Sequence, residues 1–142
     1  MRLRLVWLLL LVAGCGLNRF GPWLDESGQR LEGSQVIQYQ GFQTCGHEEV
    51  IFLFFFGDLY ARDDDGDLGQ LTNDEGEVLT FAVLDEPPAA AEPTGITHQD
   101  REIYFDPATR EDYLYIRQPN RTERWPRAEI NCDRPGTPRT TT

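Results

Sequence analysis

The sequence has no lysine and few histidines or cysteines. All 13 basic residues are arginine, and only two histidines and three cysteines are present. His47, in the segment His47-Glu48-Glu49, lacks the second histidine of a zinc-binding His-Glu-x-x-His motif. The chain also has no Gly-x-Ser-x-Gly elbow and no glycine-rich phosphate loop. The sequence therefore predicts no cofactor and favours a non-enzymatic role.

The sequence also has no hydrophobic run long enough to span a membrane, and the run near its start is short. Arg2 and Arg4 precede the apolar run Leu5 to Val12, which is far shorter than the roughly 20 residues of a membrane-spanning helix. The run ends in Val12-Ala13-Gly14-Cys15. A basic start, an apolar run and small residues before a cysteine are typical of an exported chain, because signal peptides share this order.

This N-terminus resembles the lipobox of bacterial lipoproteins, in which the cysteine is acylated and becomes the first residue of the mature protein. The resemblance implies a signal peptide over residues 1–14 and an extracytoplasmic protein that Cys15 anchors by lipid to the cell membrane. Gly16 follows the cysteine, which would fit the outer membrane in a Gram-negative cell. An ordinary cleaved signal peptide with an incidental cysteine is the alternative.

The assignment of Cys15 to lipid constrains the other two cysteines. Cys45 and Cys132 would then form the one available disulfide, in a compartment where disulfides persist. The closed loop would cover nearly the whole domain, and chain-entropy models give such a loop about 4 to 5 kcal/mol as an upper figure.

The 142-residue chain has room for one domain between two less regular ends. Residues 15–34 are rich in glycine and polar side chains, which predicts a tether and lead-in. Trp23 in this segment is expected to dock onto the domain, with contact at the membrane interface as the alternative. Residues 35–133 form the expected β domain. Residues 134–142, with two prolines, a glycine and four threonines, are expected to be disordered.

The pattern of apolar residues within the domain predicts an all-β fold, an antiparallel sandwich or small barrel with little or no helix. The run Ile51 to Phe56 is too short and too aromatic for a typical helix and predicts a central strand buried on both faces. Gly57-Asp58 then predicts a two-residue hairpin turn. The expected strands cover residues 36–39, 49–56, 59–61, 78–84, 102–105, 113–117 and 128–132.

Two short segments carry a second resemblance. Thr44-Cys45-Gly46 with the following strand, and Gly57-Asp58-Leu59-Tyr60, resemble segments of small extracytoplasmic proteins of high-GC bacteria. The resemblance covers only this stretch, and it implies a similar small β domain without implying an activity.

Negative charge is concentrated in one stretch. Nine acidic residues and no basic one lie between Asp63 and Glu86, and the whole chain has a net charge of −11, which disfavours nucleic acid and favours a cationic protein partner. Asp63, Asp65, Asp67 and Asp74 occupy positions 1, 3, 5 and 12 of a calcium loop. Leu68 stands where that loop needs glycine, so a solvated hairpin loop is the main alternative.

We therefore expect a lipid-anchored β domain with a binding or structural role at the cell envelope. The alternatives are an envelope hydrolase that uses a carboxylate pair and a calcium-stabilised adhesion-type module. Trp125 lies among arginines, where it either packs over the core or contacts a sugar or partner protein. His98 follows Thr97 in a predicted turn, which predicts that it lies on the surface.

Overall fold

In the computed structural model, residues 22–32, 35–40, 50–109 and 111–129 are described, and they contain strands but no helix. Hence no helix in these ranges could cross a membrane. The ten strands are β1 Val36–Gln40, β2 Ile51–Phe55, β3 Asp58–Arg62, β4 Leu71–Thr72, β5 Val78–Leu79, β6 Ala82–Leu84, β7 Glu92–His98, β8 Arg101–Phe105, β9 Tyr113–Gln118 and β10 Arg121–Pro126.

The strands form three antiparallel sheets. Their orders are β1-β2-β3, β6-β10-β9-β8-β7 and β4-β5. The two larger sheets meet where Tyr60 bridges Arg127 and the Ala128 amide donates to the Leu59 carbonyl at 2.8 Å. The predicted all-β, antiparallel class is confirmed. The predicted disulfide cannot be compared, since Cys45 and Cys132 lie outside the described residues, as do Cys15 and the tail at 134–142.

The central strand β2 is buried on both faces, as its apolar run predicts. Leu53 and Phe55 join the main core between the two larger sheets, whereas Phe52 points to the opposite face. Successive side chains of a strand point to opposite faces, so one strand serves two cores. The buried members of the main core are Trp23, Leu31, Val36, Leu53, Phe55, Tyr60, Ile96, Ile103, Leu114, Ile116 and Trp125.

The second core lies on the other face of the three-stranded sheet, beneath the β4–β5 hairpin. Leu71 and Leu79 of this hairpin are buried together with Leu68, and they cover Phe52 and Ala61. The acidic stretch therefore contributes apolar residues that seal a core, in addition to its charged loops.

The first hairpin turn is shifted by one residue from its expected position. Phe55 pairs with Asp58, so the turn residues are Phe56 and Gly57 and not Gly57-Asp58. Both have positive φ, 45° and 94°, which is the signature of a type I′ turn. The sequence prediction erred because a phenylalanine is not expected in that conformation.

Other strand predictions needed correction. The strand expected over residues 78–84 is interrupted and forms β5 and β6 in different sheets. Strands β7 and β10 were not predicted. A strand was expected over 128–132, but Ala128 and Glu129 lie beyond the end of β10, and the remaining residues are outside the described ranges.

The lead-in segment contributes to the core. Trp23 is fully buried, as expected for a residue that docks onto the domain. Leu24 exchanges two backbone hydrogen bonds with Thr97 of β7, at 2.8 and 3.0 Å, and the Leu31 amide donates to the Trp23 carbonyl at 2.8 Å. Residues 22–32 thus extend the edge of the five-stranded sheet at β7.

Candidate functional site

The acidic stretch at residues 63–86 begins with two carboxylates that already have partners. Both Asp63 oxygens accept backbone amides, from Asp67 and Leu68, each at 2.8 Å. Asp64 lies 3.0 Å from the guanidinium of Arg62. These two acids therefore shape the loop after β3, and the charge of Asp64 is balanced by Arg62.

The calcium-loop hypothesis gains no support from this geometry. The first expected ligand, Asp63, is occupied by two amide donors. Among the residues that the structure describes, no group of three or more histidines, cysteines, aspartates or glutamates is arranged to hold a metal ion. His47 lies outside the described ranges.

The turn between β4 and β5 is built around Asn73. Its side-chain oxygen accepts the amides of Glu75 and Glu77 at 3.1 and 2.8 Å. Its Nδ2 donates to Glu77 at 2.9 Å and to Asp112 of the loop before β9 at 3.3 Å. One asparagine thus both shapes the turn and connects it to a loop that is distant in sequence.

A cleft of about 540 Å³ opens beside this connection. Its walls come from the β4–β5 turn, the loop before β9 and the chain after β10. The lining residues are Thr72, Asn73, Asp74, Glu75, Gly76, Leu79, Glu111, Asp112, Arg127, Ala128 and Glu129. The Arg127 amide also donates to the Asp112 carbonyl at 2.7 Å, so a backbone hydrogen bond joins two of these walls.

The charge of the cleft is strongly negative. Among the residues that the structure describes, five carboxylates line it, against the single guanidinium of Arg127. That guanidinium lies 3.6 Å from Asp58, outside the cleft, so part of its charge is already balanced. Asp112 is half-buried, and the other four carboxylates are exposed to solvent. A cationic group entering the cleft would meet acids that have little compensation.

The sequence pattern predicted only some of the acidic residues of this cleft. Asp74 and Glu75 lie in the stretch that was singled out, but Glu111, Asp112 and Glu129 come from elsewhere in the chain. No local pattern marks these three, because they are brought together by the pairing of β9 with β10, the backbone bond between Arg127 and Asp112 and the side chain of Asn73.

No protein-family model, curated protein or solved structure matches this chain. The geometry of the cleft and the chemistry of the N-terminus are therefore the grounds for assigning a function.

Outside the cleft, β10 carries a buried acid that the sequence did not reveal. Glu123 is 1% exposed and accepts from Arg62 at 2.9 Å, from Arg121 at 2.6 Å and from the indole of Trp125 at 3.0 Å. The hydrogen bond to Asp64 and then the charge of Glu123 raise the pKa of Arg62. Two sheets are thereby connected by a fully hydrogen-bonded carboxylate.

This arrangement gives no support to the hydrolase alternative. A catalytic acid of a glycosidase-type pair must be shielded from water so that it keeps its proton. In the described part of the chain, Glu123 is the buried carboxylate, and its two oxygens already accept hydrogen bonds from Arg62, Arg121 and Trp125. The acids of the cleft are exposed or half-exposed.

The structure bears on two predictions of exposure, one for Trp125 and one for His98. Trp125 is 1% exposed and belongs to the main core, so of its two interpretations the packing one is confirmed. His98 was expected on the surface, and this is wrong. It is 5% exposed, its Nδ1 lies 3.0 Å from the Pro22 carbonyl, and its ring is 5.4 Å from that of Trp23. The docked lead-in covers it.

Proposed function

We propose that this protein is a lipid-anchored extracytoplasmic domain that binds a cationic protein, without catalysis, through the acidic cleft. The observation that carries the binding proposal is the set of five carboxylates that line one cleft, against one guanidinium among the described residues. The order of basic residues, apolar run and Val12-Ala13-Gly14-Cys15 supports the anchor at Cys15.

A protein segment fits this cleft better than a single metal ion does. The cleft volume of about 540 Å³ is enough for several side chains. Its acids are spread over three chain segments, and no three-ligand cluster occurs among the described residues. Arginine or lysine side chains of a partner could each approach a different carboxylate.

The cleft is tested with a short arginine-rich peptide as the probe. The change is the double substitution D74N/E75Q, which removes two charges from the lining. Each exposed charge pair at contact is worth about 1 kcal/mol or less, so we expect peptide affinity to fall by up to about tenfold at an ionic strength of about 0.1 M. Isothermal titration calorimetry measures this change.

The matched control is D65N/D67N, which removes two charges from exposed positions that do not line the cleft. We expect at most about a twofold effect, because salt screens charges over roughly 10 Å. Equal losses in both variants would show that only the overall charge attracts the peptide, and the cleft assignment would then fail.

The anchor is tested separately by the intact mass of the mature protein. Acylation at Cys15 predicts a mass that starts at Cys15 and includes acyl chains, and the substitution Cys15→Ser should release the protein from the membrane fraction. An unmodified mature chain would refute the anchor without bearing on the cleft.

A further inference from the structure

Phe56, at the tip of the β2–β3 hairpin, is an exposed aromatic residue in an unfavourable backbone conformation. Its φ is +45°, and 47% of its surface is exposed. Non-glycine residues rarely adopt positive φ, and asparagine is the residue that type I′ turns prefer at this first position.

The turn itself does not require this side chain. The backbone amide of Phe56, which any residue except proline would supply, donates to the Gln35 carbonyl at 2.6 Å. The ring makes an edge-to-face contact with Phe55, with centroids 4.8 Å apart, yet about half of its surface is left in water. An aromatic residue that is both strained and exposed points to a contact outside the fold.

The path of the chain indicates what that contact is. The tip is bonded to Gln35, which follows the docked lead-in, and the lead-in is closed by the bond from the Leu31 amide to the Trp23 carbonyl. Backbone hydrogen bonds thus connect the tip, through Gln35 and Glu32, to the lead-in that begins at Pro22. Seven peptide steps separate Pro22 from Cys15, so they span at most about 25 Å. A lipid on Cys15 would hold this end of the domain at the bilayer.

The charges that flank the tip are compensated. Asp58, the first residue after the turn, lies 3.6 Å from Arg127, and Glu32 lies 3.6 Å from Arg30. In a protein with a net charge of −11, such pairing reduces the electrostatic cost of approaching a lipid surface.

We propose that Phe56 inserts into the lipid–water interface and orients the domain on the membrane to which Cys15 is anchored. This inference rests on the proposed lipid anchor. It adds a second, non-covalent contact, for which an aromatic ring at headgroup depth is well suited.

The test uses the acylated full-length protein, reconstituted into phosphatidylcholine vesicles with or without brominated acyl chains. Phe56→Trp places a fluorophore at the tip. Val83→Trp is the matched control, since Val83 is 53% exposed on β6 of the other large sheet. The buried Trp23 and Trp125 give a background that the unsubstituted protein measures.

We expect brominated lipid to quench the added tryptophan at position 56 about twofold or more, and the one at position 83 hardly at all. Equal quenching at the two positions, or none at either, would overturn the proposal while leaving the anchor intact. An unacylated Cys15, seen by mass, would overturn both.

A second variant separates membrane contact from a role in folding. Phe56→Asn should leave the melting temperature unchanged or raise it, because asparagine tolerates the left-handed conformation. A clear fall in melting temperature would show that the ring stabilises the fold itself, and this would also overturn the proposal.

Discussion

Substitution of the buried Glu123 tests quantitatively how much its contacts between the two larger sheets contribute to stability. It accepts from Arg62 of β3 and from Arg121 and Trp125 of β10. Glu123→Gln preserves the shape and one acceptor oxygen but removes the charge, whereas Glu123→Ala removes every acceptor.

The alanine variant leaves the buried indole N–H of Trp125 without a partner and two guanidiniums without their anion. Breaking a fully buried ion pair costs about 3 to 5 kcal/mol. The guanidinium side chains are 26% and 43% exposed, so water can replace part of what is lost, and we expect a cost near the lower limit, about 3 kcal/mol. Glu123→Gln should cost about 1 to 2 kcal/mol.

Urea unfolding followed by tryptophan fluorescence measures both values, because Trp23 and Trp125 are buried. With a slope of about 1 to 3 kcal/mol per molar urea, the midpoint should fall by about 1 to 3 M for Glu123→Ala and by less for Glu123→Gln. Glu129→Gln, an exposed acid of the cleft, is the control and should stay within about 0.5 kcal/mol. If Glu123→Gln were as stable as the unsubstituted protein, the assignment of a charged, cross-sheet carboxylate would be refuted.

Two further predictions concern the lead-in and the pH range. Trp23→Ala should destabilise the domain by about 3 to 5 kcal/mol in the same urea assay, since it empties a fully buried site; a loss below about 1 kcal/mol would mean that the lead-in is not docked in solution. Burial raises the pKa of Tyr115 above the usual 10.0 of a tyrosine, so the folded state retains the phenolic proton to higher pH than the unfolded state does. The corresponding stability is complete below pH 10 and is lost as the pH rises through the folded-state pKa; Tyr115→Phe should remove this part of the alkaline loss in melting curves, and an unchanged alkaline profile would contradict it.

The sequence predicted those parts of the fold in which local pattern and tertiary environment agree. The run Ile51 to Phe56 has no polar face, so it indicates a strand covered on both sides, and β2 is such a strand. In β10, by contrast, Glu123 is buried where Arg62 of another sheet donates a hydrogen bond to it. A charged residue is normally taken as exposed, and no local rule corrects that expectation.

Strand β7 was missed for a different reason. Pro93 and Gly95 are strand breakers by propensity, but Pro93 lies near the start of a strand at the edge of its sheet, where a missing amide donor is tolerated. Gly95 adopts a φ of +75° where the β7–β8 register shifts, as expected of a bulge. No alternation of apolar with polar residues marked β10, whose sequence is Arg-Thr-Glu-Arg-Trp-Pro.

The acidic cleft could be predicted only in part, because its residues come together only in the folded structure. Residues 63–86 stand out by composition, but their role depends on partners. Asp63 and Asp64 are bound locally, whereas Asp74 and Glu75 become part of a site by meeting Glu111, Asp112 and Glu129. Composition identifies charge, and only topology determines which charges converge.

The docking of Trp23 also determines when the domain can form during synthesis. The Pro22 carbonyl meets His98, 76 residues later, and Arg62 meets Glu123, 61 residues later. At a translation rate of about 5 to 20 residues per second, the 76-residue separation corresponds to roughly 4 to 15 s in which Trp23 has no core to enter. Folds that depend on such distant contacts form slowly. The lead-in, although it is made early in synthesis, is therefore among the last parts of the described domain to become stable.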